Sequence, residues 1–316
     1  MLSYAALCRH PAAFPSLTGM TRPEFEALAA QFERAASEGR DRSTTTRRFR
    51  TPRHNAPGAG RPHDHGPHDR LLMALVWLRI YPTYEVLGFF FDLHKRNAQL
   101  NVRAVLEILD TLHDFPFDRP TRDRTRLRSA AEVMAAFPDV RVIIDGKEQR
   151  TNRPTGYDAQ KPYYSGKKKT HTLKNQVVVD PRGRIETVTA TVPGGANHDL
   201  TVLRGSGVLE RLGAGEGAMV DKGYVGVRND YPDVPIVIPF KASRNHPLTA
   251  AQEAFNREVA RYRIVIEHTM AQLNRFTVLR QVFRGQKRDR HSGVFRVVAK
   301  LVNRRLAVQP LKTYAA

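Results

Sequence analysis

Cysteine is almost absent from this sequence, in which Cys8 is the only one. The chain therefore cannot form an internal disulfide or build a thiolate zinc site, so any bound metal would be held by oxygen or imidazole ligands. Long apolar runs are also missing, since no stretch reaches the roughly 20 residues that a membrane span needs. The first residues, MLSYAALCRH, lack the basic-then-apolar order of a secretory signal. We therefore expect a cytoplasmic protein with no membrane partner.

Acidic residues are scarce beside basic ones. The 316 residues include 31 Asp and Glu against 51 Lys and Arg, which gives a formal net charge of +20. A surplus of this size creates a positive field over the surface and favours binding to a polyphosphate, whose counterions are released. Nucleic acid is therefore the expected partner, and a protein that is merely basic is the alternative.

Composition and periodicity divide the chain into five predicted segments, and its hydrophobic content of 41% is enough for one or two packed domains. They are an N-terminal helical segment (1–36), a basic flexible linker or arm (37–69), a helical domain (70–135), an α/β domain (136–285) and a basic C-terminal helical segment (286–316). In the first segment Thr21 and Glu24 have the spacing of a capping box.

Three helical patterns follow the linker. The first is DRLLMALVWLRIY (69–81), which Pro82 closes, the second is TYEVLGFFFDL with Thr83 as its cap, and the third is KRNAQLNVRAVLEILDTL. The tight turn before the third helix predicts a helix-turn-helix, in which that helix enters a DNA groove. A helical subdomain that only packs on the next domain is the alternative. The polar side chains that the third helix would offer to DNA are Lys95, Arg96, Asn97, Gln99, Asn101 and Arg103.

The rest of the chain alternates between strand and helix patterns, and the order β-β-β-α-β-β-α predicts an α/β domain. The first three strands should be antiparallel, with DPRG as the hairpin turn between the second and third. The predicted elements are strands at 140–145, 175–180 and 184–192, a helix at 198–212, strands at 217–221 and 235–240, and a long helix at 249–281.

Three acidic residues come from separate elements of this domain. Asp145 ends the strand VRVIID and Asp221 ends GAMVD, where functional side chains of α/β sheets gather. Glu267 lies in the last long helix, which can pack over the same sheet. Three converging carboxylates could hold hard divalent cations through oxygen. By contrast, we interpret Asp180 as a turn residue and Asp199 as a helix N-cap.

Five blocks extend this pattern: IIDGKE, YYSGKKKTHTLKNQVVVDPRGRI, VPGGANHDLTVL, VDKGYVG and NREVARYRIVIEHTMAQLNRF. In content and order they resemble the DDE transposases of bacterial insertion sequences, within the Harbinger-like group of the insertion-sequence-five type. The resemblance covers roughly residues 70–285 and includes the helix-turn-helix opening LLxxLxWLRxYPTYxxLG from Leu71 to Gly88. It implies an RNase H-like mixed sheet flanked by helices in the catalytic domain, residues 136–285, preceded by an all-α helix-turn-helix domain.

The resemblance also implies a chemistry. It assigns Asp145, Asp221 and Glu267 as catalytic residues and as ligands of two Mg²⁺ ions, for which Mn²⁺ can substitute. The reaction would be phosphoryl transfer that cuts the ends of an insertion sequence and joins them to target DNA. The implied DNA partners are the terminal inverted repeats of the element and the target DNA. The chain would act on DNA as a homodimer or higher oligomer, and within the cytoplasm it would be associated with the nucleoid. A catalytically inactive DNA-binding relic and a host nuclease that cuts without joining are the alternatives.

Further basic residues would contact DNA. The stretch containing Lys167, Lys168, Lys169 and Lys174 lies beside Tyr163 and Tyr164, and we interpret it as a clamp on the phosphate backbone. A solvated charge run is the alternative. Arg263 lies four residues before Glu267 on the same helical face, where it could orient the glutamate or meet a phosphate.

Asn274 stands where the family commonly has lysine, seven residues after the catalytic glutamate. The resemblance therefore implies a weakened DNA contact here, with Arg275 partly substituting, and a lysine at position 274 would strengthen binding. Matched family blocks also suggest supporting roles for His198, Asp199, Lys222 and Tyr224.

Overall fold

The computed structural model describes residues 1–42, 65–112, 135–244, 246–285 and 288–308. They fall into two compact units, of which the first comprises Met1–Asp114 and Arg275–Val278 and the second comprises Phe115–Asn274 and Leu279–Ala316. Residues 1–36 fall in the first unit, and the described part of the predicted C-terminal segment, residues 288–308, falls in the second. Most of the predicted linker, residues 43–64, lies outside the described residues.

The described part of the first unit is helical. Its helices are α1 (Tyr4–Cys8), α2 (Ala13–Thr18), α3 (Arg22–Arg42), α4 (Pro67–Ile80), α5 (Tyr84–Phe91) and α6 (Lys95–Thr111). The Thr21 N–H donates to Glu24 at 2.6 Å, which confirms the predicted capping contact. The hydroxyl oxygen of Thr83 accepts from the Val86 N–H at 3.3 Å, as expected of an N-cap. These caps fix where α3 and α5 begin.

Helix α4 forms the centre of the first unit because it is apolar on every side. Its residues from Leu71 to Leu78 are buried all round, and α4 packs against α2, α3 and α6. Helix α6 is amphipathic instead: Ala98, Val102, Val105 and Leu109 are buried at helical spacing, while Arg96 and Arg103 remain exposed. The predicted three-helix arrangement is therefore present, with one face of α6 outside the core.

The second unit is built on a mixed sheet. Its strands are β1 (Val140–Arg150), β2 (Tyr164–Ser165), β3 (Thr170–Val179), β4 (Ile185–Val188), β5 (Val192–Pro193), β6 (Gly217–Met219) and β7 (Ile236–Val237). Their order is β2-β3-β1-β6-β7, and β4 and β5 also pair with β3. The β1–β3 and β3–β4 pairs are antiparallel, as predicted, whereas β6 runs parallel to β1 and to β7.

Strand β1 continues past the point where the sequence pattern ended it. Parallel pairing with β6 stops at Ile143 opposite Met219, but antiparallel pairing with β3 continues to Arg150 opposite Thr172. Asp145 is therefore inside a strand rather than at its end. The prediction erred because the polar sequence after Asp145 suggested a loop, whereas the long partner β3 supplies backbone hydrogen bonds that keep it extended.

Two predicted helices in the second unit are shorter in the structure. In the segment 198–212 the α-helix ends at Arg204 with Gly205 as its C-cap, and a separate 3-10 turn, Leu209–Arg211, follows Gly207, whose φ is 61°. The segment 249–281 is helical to Asn274. The helices are α7 (Tyr157–Gln160), α8 (Asp199–Arg204), α9 (Val227–Asp230), α10 (Ala250–Asn274) and α11 (Arg288–Val308). Within the described ranges, every helix is too short or too polar to cross a membrane.

A polar cluster on α11 is fully enclosed. His291 is completely buried, its Nδ1 lies 2.8 Å from the Thr191 hydroxyl, and its Nε2 lies 2.9 Å from the Gln149 amide oxygen. An amide oxygen can only accept, so Nε2 carries the proton and Nδ1 accepts from Thr191. Burial, with the positive charge of Lys147 as a smaller contribution, lowers the pKa of His291 to about 3. The fold therefore holds this histidine neutral.

This neutral histidine predicts acid sensitivity. Below its ordinary pKa of about 6.5 the unfolded chain binds a proton that the folded chain rejects. His291 stabilises the fold above that pH, and the contribution falls by up to about 1.4 kcal/mol per pH unit as the pH drops toward 3. Urea unfolding measures the free energy of unfolding of the parent and of His291→Gln between pH 7 and pH 4. The parent should be the more stable of the two at pH 7, and this difference should become smaller as the pH is lowered. The exposed His10→Gln is the control, and a constant difference for His291→Gln would contradict the prediction.

Candidate functional site

Asp145 and Asp221 meet because of the register between β1 and β6. Each lies two residues beyond the last parallel pair, Ile143 opposite Met219. Their carboxylates are fixed by local backbone groups: the Gly146 N–H donates to Asp145 at 2.8 Å. The Gly223 N–H donates to Asp221 at 2.7 Å. Two carboxylates predicted from separate strands are thus neighbours at one level of the sheet.

The electrostatics of this pair favour a cation. Burial, with smaller contributions from the negative charges of Asp221 and Asp199, raises the pKa of Asp145 to about 6, although the positive charge of Arg263 opposes the shift. The Arg263 guanidinium lies 3.5 Å from the Asp145 carboxylate. Its Nε is buried and makes no hydrogen bond within the part of the chain that the structure describes. One arginine therefore offsets part of the negative charge of three aspartates.

Asp199 lies between the two aspartates rather than capping its helix. The N-cap of α8 is His198, an exposed residue whose side chain makes no capping hydrogen bond, so the N-cap interpretation of Asp199 was wrong. A Cβ placed on Gly146 would come within 2.7 Å of the Asp199 carboxylate. One placed on Gly223 would come within 2.8 Å of it. The carboxylate can occupy this space only because both residues lack side chains.

A buried tyrosine lies behind the aspartates. Tyr224 is completely buried, and its hydroxyl accepts from the Gln176 amide at 2.9 Å. The same amide donates to the Asp199 carbonyl at 2.6 Å. Burial raises the pKa of Tyr224 well above its ordinary value, and the nearby aspartates raise it further, so the phenol stays protonated. Lys222, which precedes this buried group, is exposed. Through Gln176, Tyr224 is thus linked to the backbone of Asp199, whereas Lys222 is an exposed residue next to Asp221 in the sequence.

Glu267 lies on the face of α10 that is directed at β1. Arg263 and Asn274 lie on either side of it, at helical spacing, and contact Asp145 and Lys147 of β1. Glu267 itself is exposed. Within the described residues, no three His, Cys, Asp or Glu side chains are grouped so as to hold a metal ion. The assignment of Glu267 as a third ligand therefore stays a prediction.

The carboxylate oxygens of Asp145 and Asp221 are nevertheless the type of ligand atom that a hard divalent cation binds. Asp145 and Asp221 offer carboxylate oxygens, the ligands that Mg²⁺ prefers. Burial, and to a smaller extent the charge of Asp221, raise the pKa of Asp145, and a bound cation would offset both costs. The pair thus fits part of the implied metal site.

The predicted lysine clamp separates into two parts. Lys167, Lys168 and Lys169 are exposed at the tip of the β2–β3 hairpin, where Lys169 takes a φ of 52°. Lys174 is buried instead, because it lies directly opposite Glu148 in the sheet. Its ammonium is 3.3 Å from that carboxylate, 3.1 Å from Asp199 and 2.8 Å from the Asn197 carbonyl. The clamp interpretation therefore does not apply to Lys174, which is an internal counter-charge.

The exposed face of α6 carries fewer groove-facing residues than predicted. Arg96 is exposed, and Arg103 is exposed but pairs with Glu107 at 2.8 Å. Asn101 faces inward, where it accepts from the Arg70 guanidinium at 2.8 Å. Lys95 pairs with Glu85 at 3.1 Å. Arg275, at the end of the same first unit, accepts a hydrogen bond from Arg79 through its carbonyl oxygen.

Sequence reasoning missed Lys147, Glu148 and Gln176, which all contact site residues. The available signal was alternation along β1. Side chains two apart in a strand share a face, so Lys147 lies on the face of Asp145, and Glu148 lies on the opposite one. Gln176 begins a strongly apolar run, QVVVD, in which a polar residue needs a buried partner.

Comparison with known proteins agrees with this arrangement. Residues 144–303 match the family described as DDE superfamily endonuclease, and residues 66–113 match the helix-turn-helix of DDE superfamily endonuclease. The chain is also similar to the "Probable transposase for insertion sequence element IS702" of Microchaete diplosiphon. The two are 27% identical over 220 residues, which cover 70% of this chain and 74% of the relative.

The contact between Asp199 and the two glycines predicts a steric effect. Gly223→Ala should lower the free energy of unfolding by about 1–3 kcal/mol, because its methyl group would meet both Asp199 and Asp221 within 2.9 Å. Shortening residue 199 in Gly223→Ala/Asp199→Ala should recover part of the loss in urea unfolding. Gly166→Ala is the control, since nothing lies within 4 Å of a Cβ there. Equal stability of Gly223→Ala and the parent would refute the contact.

The exposed face of α6 predicts phosphate or base contacts. Arg96→Ala and Arg103→Ala should each weaken binding to a DNA duplex that contains an end of the insertion sequence. Each lost phosphate contact should reduce the salt slope, the slope of the logarithm of the binding constant against the logarithm of salt concentration, by about 0.9. Binding titrations at several salt concentrations measure both quantities. Arg34→Ala, an exposed arginine of α3 in the same unit, is the control. Unchanged affinity and slope in both α6 variants would favour a helix that only packs.

Proposed function

Because the chain belongs to the DDE superfamily endonucleases, we propose that it is a transposase. It would cut the ends of an insertion sequence and join them to target DNA by metal-dependent phosphoryl transfer. The observation that carries this proposal is the side-by-side placement of Asp145 and Asp221 at the end of the parallel β1–β6 pair. Both residues lie inside the segment that matches the family.

The chain's own residues would each do a separate part of the work. Asp145, Asp221 and Glu267 would hold two Mg²⁺ ions, and Mn²⁺ can substitute. Bound there, the ions supply positive charge to the phosphoryl oxygens and lower the pKa of the attacking water or 3′-hydroxyl. Arg263 holds the Asp145 carboxylate in place at 3.5 Å. The Asp199 carboxylate fills the space left by Gly146 and Gly223, which lie close in sequence to Asp145 and Asp221.

DNA would be held by groups outside the carboxylate site. The matched helix-turn-helix supports recognition of the terminal inverted repeats by α6, through Arg96 and Arg103. Lys167, Lys168 and Lys169 on the hairpin tip would contact the phosphate backbone without reading its sequence. An insertion sequence has two ends, so we expect a homodimer or higher oligomer to assemble on them.

Substitution of the three acids tests the proposal. Asp145→Asn, Asp221→Asn and Glu267→Gln keep side-chain shape and remove charge, so each should keep DNA binding but lower nicking of an end-containing duplex in Mg²⁺ by on the order of 100-fold or more. Asp180→Asn is the matched control. Asp180 is a buried aspartate that accepts hydrogen bonds from the Arg182 and Arg184 N–H groups, each at 2.9 Å, in the β3–β4 turn.

Each outcome has a defined consequence. If Asp145→Asn or Asp221→Asn nicks DNA as well as the parent, the active-site assignment is refuted. If only Glu267→Gln does so, the assignment of Glu267 as the third ligand is refuted and the other two stand. A parent that binds and nicks the ends but does not join them to a supercoiled target would instead be a nuclease. A parent that binds without nicking would be an inactive relic.

A further inference from the structure

Lys147 occupies an unusual place on strand β1. It lies two residues after Asp145, so both side chains are on the same face of the strand, about 7 Å apart. On this face Asp145 contacts Arg263 of α10, and the Lys147 ammonium donates to the Asn274 amide oxygen at 2.6 Å. Lys147 is therefore the next charged residue along β1 from the carboxylate pair.

Comparison with a second lysine of the same sheet shows what Lys147 lacks. Lys174 is buried and its ammonium lies within 4 Å of two carboxylates, those of Glu148 and Asp199. The partner of Lys147 is a neutral amide, and no carboxylate lies within 4 Å of its ammonium in the described ranges.

A largely buried cation whose partner is a neutral amide costs free energy unless an anion joins it. We propose that Lys147 binds a phosphate of the DNA strand, next to the phosphate held at Asp145 and Asp221. Asn274 accepts one of the three ammonium N–H groups of Lys147 and so directs the other two toward that phosphate. This inference rests on the proposed function, because it concerns the same bound DNA.

The arrangement also revises what the sequence implied for position 274. Asn274 was expected to be a weakened DNA contact that a lysine would improve. In the structure Asn274 orients a cation that β1 provides, and a lysine in its place would bring a second ammonium against that of Lys147. The DNA contact near α10 therefore comes from the strand rather than from the helix.

Two variants of different chemistry test the site. Lys147→Gln removes the cation, and Asn274→Asp keeps the size of residue 274 but gives Lys147 a carboxylate partner. Both should weaken binding to an end-containing duplex about tenfold. Both should also reduce the salt slope by about 0.9, the loss expected for one phosphate. Lys147→Arg, which keeps the cation, should retain most of the affinity.

Binding is measured in EDTA, so that metal-dependent cleavage does not contribute, and urea unfolding checks that each variant is folded. Lys161→Gln, which removes one exposed lysine of the same unit, is the control. Parental affinity and slope for both Lys147→Gln and Asn274→Asp would overturn the site, as would an equal loss in Lys161→Gln. If the parent binds and nicks DNA in either of those cases, the proposed function survives alone. A parent that binds no DNA would overturn both.

Discussion

Negative charge concentrated at one level of a sheet is the constraint on which the second unit depends. The β1–β6 register brings Asp145 beside Asp221, and α8 adds Asp199 between them. Such a group persists in a folded chain only where protons or cations offset the repulsion. The structure supplies Arg263 on one side of the sheet and Lys174 on the other, and burial raises the pKa of Asp145 so that a proton or a metal ion is favoured there.

The two faces of β1 divide these tasks. Residues 145, 147 and 149 face one way and contact α10 and α11, whereas Gly146 and Glu148 face the group around Asp199 and Lys174. One face therefore combines the carboxylate with two cations, Arg263 and Lys147. The other face holds the internal ion pairs that keep the loops in place. This separation explains why adjacent lysines in the sheet have different surroundings although both are largely buried.

Much of this organisation could be predicted from sequence, because it depends on local patterns. Strand patterns rich in β-branched residues, with the DPRG turn, predicted the antiparallel β1, β3 and β4. Capping residues predicted where α3 and α5 begin, and acids next to strands predicted the meeting of Asp145 and Asp221. The burial of Lys174 could not be predicted, since it depends on being paired across strands with Glu148. The prediction of Asp199 as an N-cap was wrong for a similar reason. Its carboxylate lies against Gly146 and Gly223, which are distant in sequence, and a residue without a side chain gives no sequence signal of such a contact.

The space at Gly146 and Gly223 also bears on how this site can change over time. A larger residue at either position collides with the carboxylate at position 199 unless that side chain becomes shorter. Asp199 also forms an ion pair with Lys174. If residue 199 became a shorter, uncharged side chain, Lys174 would keep only one of its two carboxylate partners, Glu148. We therefore expect single substitutions here to cost more stability than matched substitutions of two of these positions. In an alignment of diverging relatives, positions 146, 174, 199 and 223 should accordingly vary as a correlated set rather than independently.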